Sequence, residues 1–304
     1  MKNRVIYNCQ DILIGSSDPN FSSLIRDALV LQRINRVQSF GYNIAENRED
    51  VYELGVRCYS ERPIVSTPLI NIDLSYLSYN VSNELRLGLE VNYTVSGNPK
   101  YNDNFNHCLV SGMMNETRKQ DKRNLYLVIN DSGSDVRVGT TKTYDNNSEN
   151  YFIDPNSPNY KLACFNNCYL NSYSLNAEVG NFISCNVGMV ASNFAFYTSG
   201  SGVLMPFIDE RTGELKDSEI HLIIPKYTPE NQPSALRPGD ITLSIISTGQ
   251  GAATSNIKDL GWDIDDLKIQ GFNVSIPFNR KQVEYIGYRM PIDQSLLFPI
   301  FVDF

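Results

Sequence analysis

Val37-Gln-Ser-Phe-Gly-Tyr-Asn-Ile-Ala-Glu-Asn-Arg-Glu-Asp-Val-Tyr-Glu-Leu-Gly-Val-Arg57 aligns without a gap to Ile269-Gln-Gly-Phe-Asn-Val-Ser-Ile-Pro-Phe-Asn-Arg-Lys-Gln-Val-Glu-Tyr-Ile-Gly-Tyr-Arg289. Eight of the 21 positions are identical: Gln38/Gln270, Phe40/Phe272, Ile44/Ile276, Asn47/Asn279, Arg48/Arg280, Val51/Val283, Gly55/Gly287 and Arg57/Arg289. After a short slip the match resumes, Pro68-Leu-Ile-Asn-Ile-Asp73 facing Pro299-Ile-Phe-Val-Asp303. Internal self-similarity is the signature of a repeated structural unit, and this one contains no obvious catalytic residue.

Both copies open with alternating side chains. Phe40, Tyr42 and Ile44 fall on one face of a strand, as do Phe272, Val274 and Ile276. Each strand ends near an Asn-Arg dipeptide suited to a turn, and a second run ends at Gly55 or Gly287. A fainter echo, Leu170-Asn-Ser-Tyr-Ser-Leu-Asn-Ala-Glu-Val-Gly180, has the same opening, then a turn and the apolar run Phe182 to Val190.

Working outward, short strand-like runs appear at Leu69 to Leu77, Leu85 to Val95, Leu125 to Asn130, His221 to Pro225 and Ile241 to Ser247, separated by turn residues such as Asn130-Asp-Ser-Gly133. Many short strands with few helices predict a mainly β sandwich or barrel. One helix is predicted: Pro19 and Asn20 start it, and Phe21, Leu24, Ile25, Ala28 and Leu29 form one apolar stripe. Met114 to Arg123 and Thr140 to Tyr160 read as long exposed loops.

The 304 residues include 34 acidic and 26 basic ones, a net charge of -8, with 41% hydrophobic and 20% charged residues. That is a globular composition, and its sign argues against tight binding of phosphate backbones. The first residues lack a signal-peptide core, and no run approaches the roughly 18 to 20 apolar residues of a membrane helix. The expected place of assembly is therefore the cytosol. Cys9, Cys58, Cys108, Cys164, Cys168 and Cys185 are too few for a disulfide framework. Cys164 and Cys168 have no second ligand pair after them, so buried or free thiols are favoured over zinc.

No nucleophile elbow, zinc-protease helix, phosphate loop or dinucleotide fingerprint is present, and the only histidines are His107 and His221. No enzyme, cofactor or metal is expected. Asp263-Ile-Asp-Asp266 and the Asp209 to Asp217 segment read as solvated turns, since neither has the calcium-loop pattern. The repeated Arg48, Arg57, Arg280 and Arg289 are candidate inter-subunit groups because a guanidinium suits bidentate carboxylate contacts; surface arginines closing hairpins are the equal alternative. Phe40, Phe272, Gly55 and Gly287 complete the set, the phenylalanines as equivalent core positions and the glycines at the turns.

The Val37 to Gly55 segment with its Pro68 to Asp73 continuation, its repeat at Ile269 to Asp303, and the central Tyr169 to Gly180 strand together resemble the tail tube proteins of tailed bacteriophages. The resemblance implies two tandem tube-like β-barrel or sandwich modules with one or few flanking helices: an N-terminal arm and helix over 1–36, a first module over 37–195 and a second over 196–304, an arrangement that allows the two to share strands. It implies a structural virion protein of the tail, assembled in the host cytoplasm. Its partners would be itself, as a ring, trimeric with pseudo-sixfold symmetry and stacked into a tube; other tail proteins; and genomic DNA passing through the lumen without specific binding. Net negative charge would avoid adhesion of that DNA. Alternatives on the same fold are a tube initiator, terminator or baseplate protein; a carbohydrate-binding β-domain is a further one, resting on the aromatic content and Trp262. The chain departs from a single-module pattern by its repeat, and it stops at Phe304, where the first copy continues through Leu74 to Leu89.

Overall fold

The computed structural model describes residues 10–17, 28–46, 48–63, 69–89, 122–130, 150–152, 160–198, 204–209, 211–212, 214–225, 234–240, 246–247, 255–256, 270–291, 293–297, 299–301 and 303. In chain order the strands are β1 (Gln10–Ser16), β2 (Ala28–Val30), β3 (Gln32–Arg33), β4 (Val37–Ala45), β5 (Leu69–Leu77), β6 (Arg123–Asn130), β7 (Asn150–Phe152), β8 (Tyr160–Glu178), β9 (Ser184–Ala191), β10 (Asn193–Thr198), β11 (Leu204–Ile208), β12 (Leu215–Pro225), β13 (Ile246–Ser247), β14 (Ser255–Asn256), β15 (Gly271–Pro277), β16 (Arg280–Val283) and β17 (Asp293–Leu296). One short helix, α1 (Ser82–Leu87), follows β5. The fold is mainly β, as the alternating patterns predict.

The 19-residue β8 organises the main sheet. Its first half pairs with β6 and β10, and its second half with β9 and β15. Two five-strand layers therefore share it: β3-β1-β6-β8-β10 and β4-β5-β9-β8-β15. The change of layer falls at Asn167, whose φ of 48° lies in the left-handed region that asparagine tolerates better than branched residues. Opposite it Ser192 interrupts the β9–β10 run, its N–H donating to the Asn166 carbonyl at 3.1 Å. A strand that passes between layers at such a break is how a sheet folds over its own core.

Side-chain alternation fills that core. Ile70, Ile72, Leu74 and Tyr76 of β5 face it, as do Cys185, Val187, Met189 and Ala191 of β9, Leu125 and Leu127 of β6, and Phe165 of β8. The first layer is buried on its other face too, at Leu13, Tyr126, Val128, Leu162 and Cys164.

Three expectations change. Ala28 and Leu29 lie in β2, paired in parallel with β12, so the predicted helical stripe does not extend through them; residues 18–27 fall outside the described residues. The Leu85 to Val95 run opens not as a strand but in α1, because its signals are helical: the Asn80 side chain accepts the Ser82 N–H, Glu84 sits in the first turn, and Gly88 at φ 87° ends the helix with its N–H on the Leu85 carbonyl. Within Thr140 to Tyr160, Asn150–Phe152 is a strand on β12. By contrast, Asp209 to Asp217 is the hairpin turn expected, the Asp209 carboxylate accepting the Arg211 and Thr212 N–H groups. The Asp263 cluster and His107 lie outside the described residues.

Candidate functional site

The two similar segments take the same local form. After β4 the chain rises into an arm closed by the Val51 N–H on the Glu61 carbonyl at 2.9 Å, and after β15 a second arm is built from β16 and β17, where Val283 pairs with Asp293. Each arm turns back through the same hydrogen bond, Val56 N–H to Glu53 C=O at 3.2 Å and Tyr288 N–H to Tyr285 C=O at 3.1 Å. Gly55 has φ 96° and Gly287 φ 91°, the backbone that the third position of a type II turn demands. A Cβ at either glycine would meet nothing within 4 Å, so backbone conformation alone requires glycine there.

Each tip presents apolar side chains to solvent. Leu54 and Ile286, at matching positions, are both fully exposed, and Tyr52, Val56, Tyr59, Tyr285 and Tyr288 are exposed beside them. A monomer gains nothing by exposing such a cluster, whereas a binding surface uses it. Leu54 and Ile286 escaped the sequence reading, although the signal was there in a large aliphatic residue before the turn glycine of both copies.

The predicted arginines divide. Arg280 is committed within the chain: its Nε donates to the Leu170 carbonyl at 2.6 Å, its Nη1 donates to the Gln294 carbonyl at 3.2 Å, and its guanidinium stacks over Tyr169. Tyr169 in turn donates to the Asp293 carboxylate at 2.8 Å. Arg48 repeats one of these bonds, Nη1 to the Arg62 carbonyl at 3.5 Å, but its Nε donates to Glu46 on its own arm at 2.9 Å. Arg57 and Arg289 are exposed, and among the described residues no side-chain ion pair engages them. Phe40 and Phe272 sit at matching positions but are half-buried, not core residues, because each belongs to a strand near a sheet edge; Phe40 packs on Phe165 at 5.6 Å between ring centroids.

The sheet edges are the second feature. Among the described residues β4 pairs with β5 on one side and with no strand on the other. β15 pairs with β8 on one side, and on the other Ser275 and Asp303 exchange both backbone hydrogen bonds, at 2.8 and 2.9 Å.

No chemistry beyond these surfaces emerges among the described residues, where no cluster of His, Cys, Asp and Glu could hold a metal. No described helix is long and apolar enough to cross a membrane. Cys164, Cys168 and Cys185 are buried free thiols and Cys58 an exposed one. Burial pushes the Cys168 and Cys185 thiols up to about 12. Glu84 of α1 is buried and accepts from the hydroxyls of Tyr76 at 2.7 Å and Tyr173 at 3.1 Å. Desolvation raises its carboxyl above the ordinary carboxylate value, only partly offset by those bonds.

The sequence matches no protein-family model and no curated protein. Among the solved structures similar to it over part of its length are the following two. The cryo-EM structure of an extracellular contractile injection system, the PVC sheath-tube complex in its extended state, covers 65% of this chain and 94% of its own, at 7% identity and a TM-score of 0.37. The anti-feeding prophage cap, a tube terminating cap, covers 65% of this chain and 93% of its own, at 7% identity and a TM-score of 0.35.

Proposed function

We propose that this chain is a structural subunit of a phage-type tail tube, which associates with further copies of itself through its sheet edges and arms to form a ring around a lumen. The observation that carries this reading is the pair of matching arms, each ending in an exposed aliphatic residue on a glycine turn. An antiparallel sheet with an unpaired edge is a hazard in a monomer and an assembly device in a ring, where each edge is paired by the next copy. In this reading residues 37–195 and 196–304 form two related modules that share strands through the β8–β15 pairing. Three copies then supply six modules, and the net charge of -8 lets DNA pass without adhesion.

Sedimentation velocity over a range of concentrations, with electron microscopy of any assembled species, tests the proposal. Rings with a central hole and a mass of three chains are expected. A chain that stays monomeric at every concentration overturns it.

A further inference from the structure

We infer that Arg48 and the free edge of β4 form the docking site for a second copy of this chain, and that the chain around Asp303 is the surface of that copy which they receive. The inference rests on the reading of the chain as a self-assembling subunit and specifies which surfaces meet.

The chain already contains this contact in its docked form. β15 and its arm match β4 and its arm, Arg280 standing where Arg48 stands in the aligned sequence and Gln294 accepting from Arg280 as Arg62 accepts from Arg48. The bond from the arginine Nη1 to the returning arm is present in both. The difference lies on the other side. β15 has β8 beside it, and Arg280 reaches across to the Leu170 carbonyl and the face of Tyr169. β4 has β5 on the side that corresponds to Asp303, and among the described residues no strand on the side that corresponds to β8. Arg48 Nε therefore turns to Glu46. The residue matching Glu46 in the docked copy is Phe278, which is fully buried. A carboxylate at this point keeps an unpaired edge soluble and holds the guanidinium until a strand arrives, as charged side chains on edge strands do elsewhere.

Strand direction identifies the other half of the contact. From β4 through β5, β9, β8 and β15 every neighbour is antiparallel, and the Ser275–Asp303 bridge continues the alternation to a sixth position. An even number of alternating strands leaves its two edges running in opposite directions. A second copy's β4 therefore meets the chain around Asp303 as an antiparallel neighbour, and the head-to-tail contact can repeat and close. Without the sixth position, β15 would face a parallel β4. Side chains here suit such a seam: Ile300 packs on the core while Phe301 is exposed. Arg48 Nε then exchanges Glu46 for a backbone carbonyl of the second copy, as Arg280 uses that of Leu170.

The test compares the concentration dependence of assembly, by sedimentation velocity, for the full chain and for Arg48→Glu and Arg48→Lys, with the unfolding midpoint of each measured in parallel. Arg48→Glu is expected to raise the concentration needed for assembly by roughly tenfold or more, as loss of a charge-assisted hydrogen bond at each interface does, while the unfolding midpoint, measured below the assembly concentration, shifts only slightly through loss of the exposed Glu46 pair. Arg48→Lys, which keeps the charge but loses the fork, is expected to fall between. If the wild-type chain assembles and Arg48→Glu assembles at the same concentration, this inference fails while the proposed function stands. If the wild-type chain never associates, the proposed function fails and takes this contact with it. A density map of the assembly provides the direct reading: β4 paired with the chain around Asp303 supports the inference, and a solvent-exposed Arg48 overturns it.

Discussion

Arg280 lies over the ring of Tyr169, its guanidinium carbon 5.3 Å from the ring centroid, and so bolts the second arm to the central strand of the sheet. In the first arm, among the described residues, Arg48 instead pairs with Glu46 on its own surface at 2.8 Å, with about four-tenths of each side chain exposed.

Truncating the two arginines therefore separates them. Arg280→Ala loses two hydrogen bonds from a charged group and a stacking contact in a half-buried setting, a loss of about 2 to 3 kcal/mol. Arg48→Ala loses an exposed ion pair, under about 1 kcal/mol. Urea unfolding of the two variants at a concentration that keeps the chain monomeric measures the difference, and equal values would refute the distinction.

Glu84 makes stability depend on pH in an uncommon direction. Its folded-state carboxyl holds a proton more tightly than in the unfolded chain, so its contribution is complete below the ordinary carboxylate value and is lost as pH rises through the higher folded value. Unfolding free energy should fall over that interval on moving from acid toward neutral pH. In Glu84→Gln, which keeps an acceptor for Tyr76 without the charge, this component of the pH dependence should vanish.

The turn glycines should respond alike. Gly55→Ala and Gly287→Ala each force a Cβ into the left-handed region with no neighbour to relieve or worsen it, costing the turn about 1 kcal/mol. Hydrogen exchange at Val56 and Tyr288, whose N–H groups close the turns, should quicken by a similar factor in the two variants. A response confined to one arm would mean that their matching geometry is not matched in energy.

Exposed tips predict a solubility effect without a folding effect. Leu54→Asp combined with Ile286→Asp should leave the unfolding midpoint of the monomer unchanged, since both side chains are fully exposed, and should weaken association. Loss of folding in this double variant would show that the tips pack within the chain.

Thiol labelling with a charged reagent, followed by mass spectrometry of the peptides, should modify Cys58 quickly and leave Cys164, Cys168 and Cys185 intact until the protein unfolds. Burial blocks access to these three, and desolvation suppresses the thiolate of each.

Alternation along the chain was enough to read β4, β5, β6 and β9 and the strand of each repeat, because a side chain's face within a strand follows from a period of two alone. The internal match between Gln38–Arg57 and Gln270–Arg289 likewise marked two strands of one kind and a second run ending at Gly55 or Gly287, but not the arms, whose closing hydrogen bonds and positive φ belong to the folded chain. What the sequence could not disclose was which edge of each strand finds a neighbour. Arg48 and Arg280 stand at matching positions of the repeat, yet one is exposed beside Glu46 and the other is clamped on Leu170 and Tyr169, because β15 has β8 beside it and, among the described residues, β4 does not. Phe40 and Phe272 were legible as apolar faces but not as half-buried ones, for burial depends on the layer packed against the strand. Pairing between segments more than a hundred residues apart is set by the closure of the whole sheet, and that is a property of the tertiary structure.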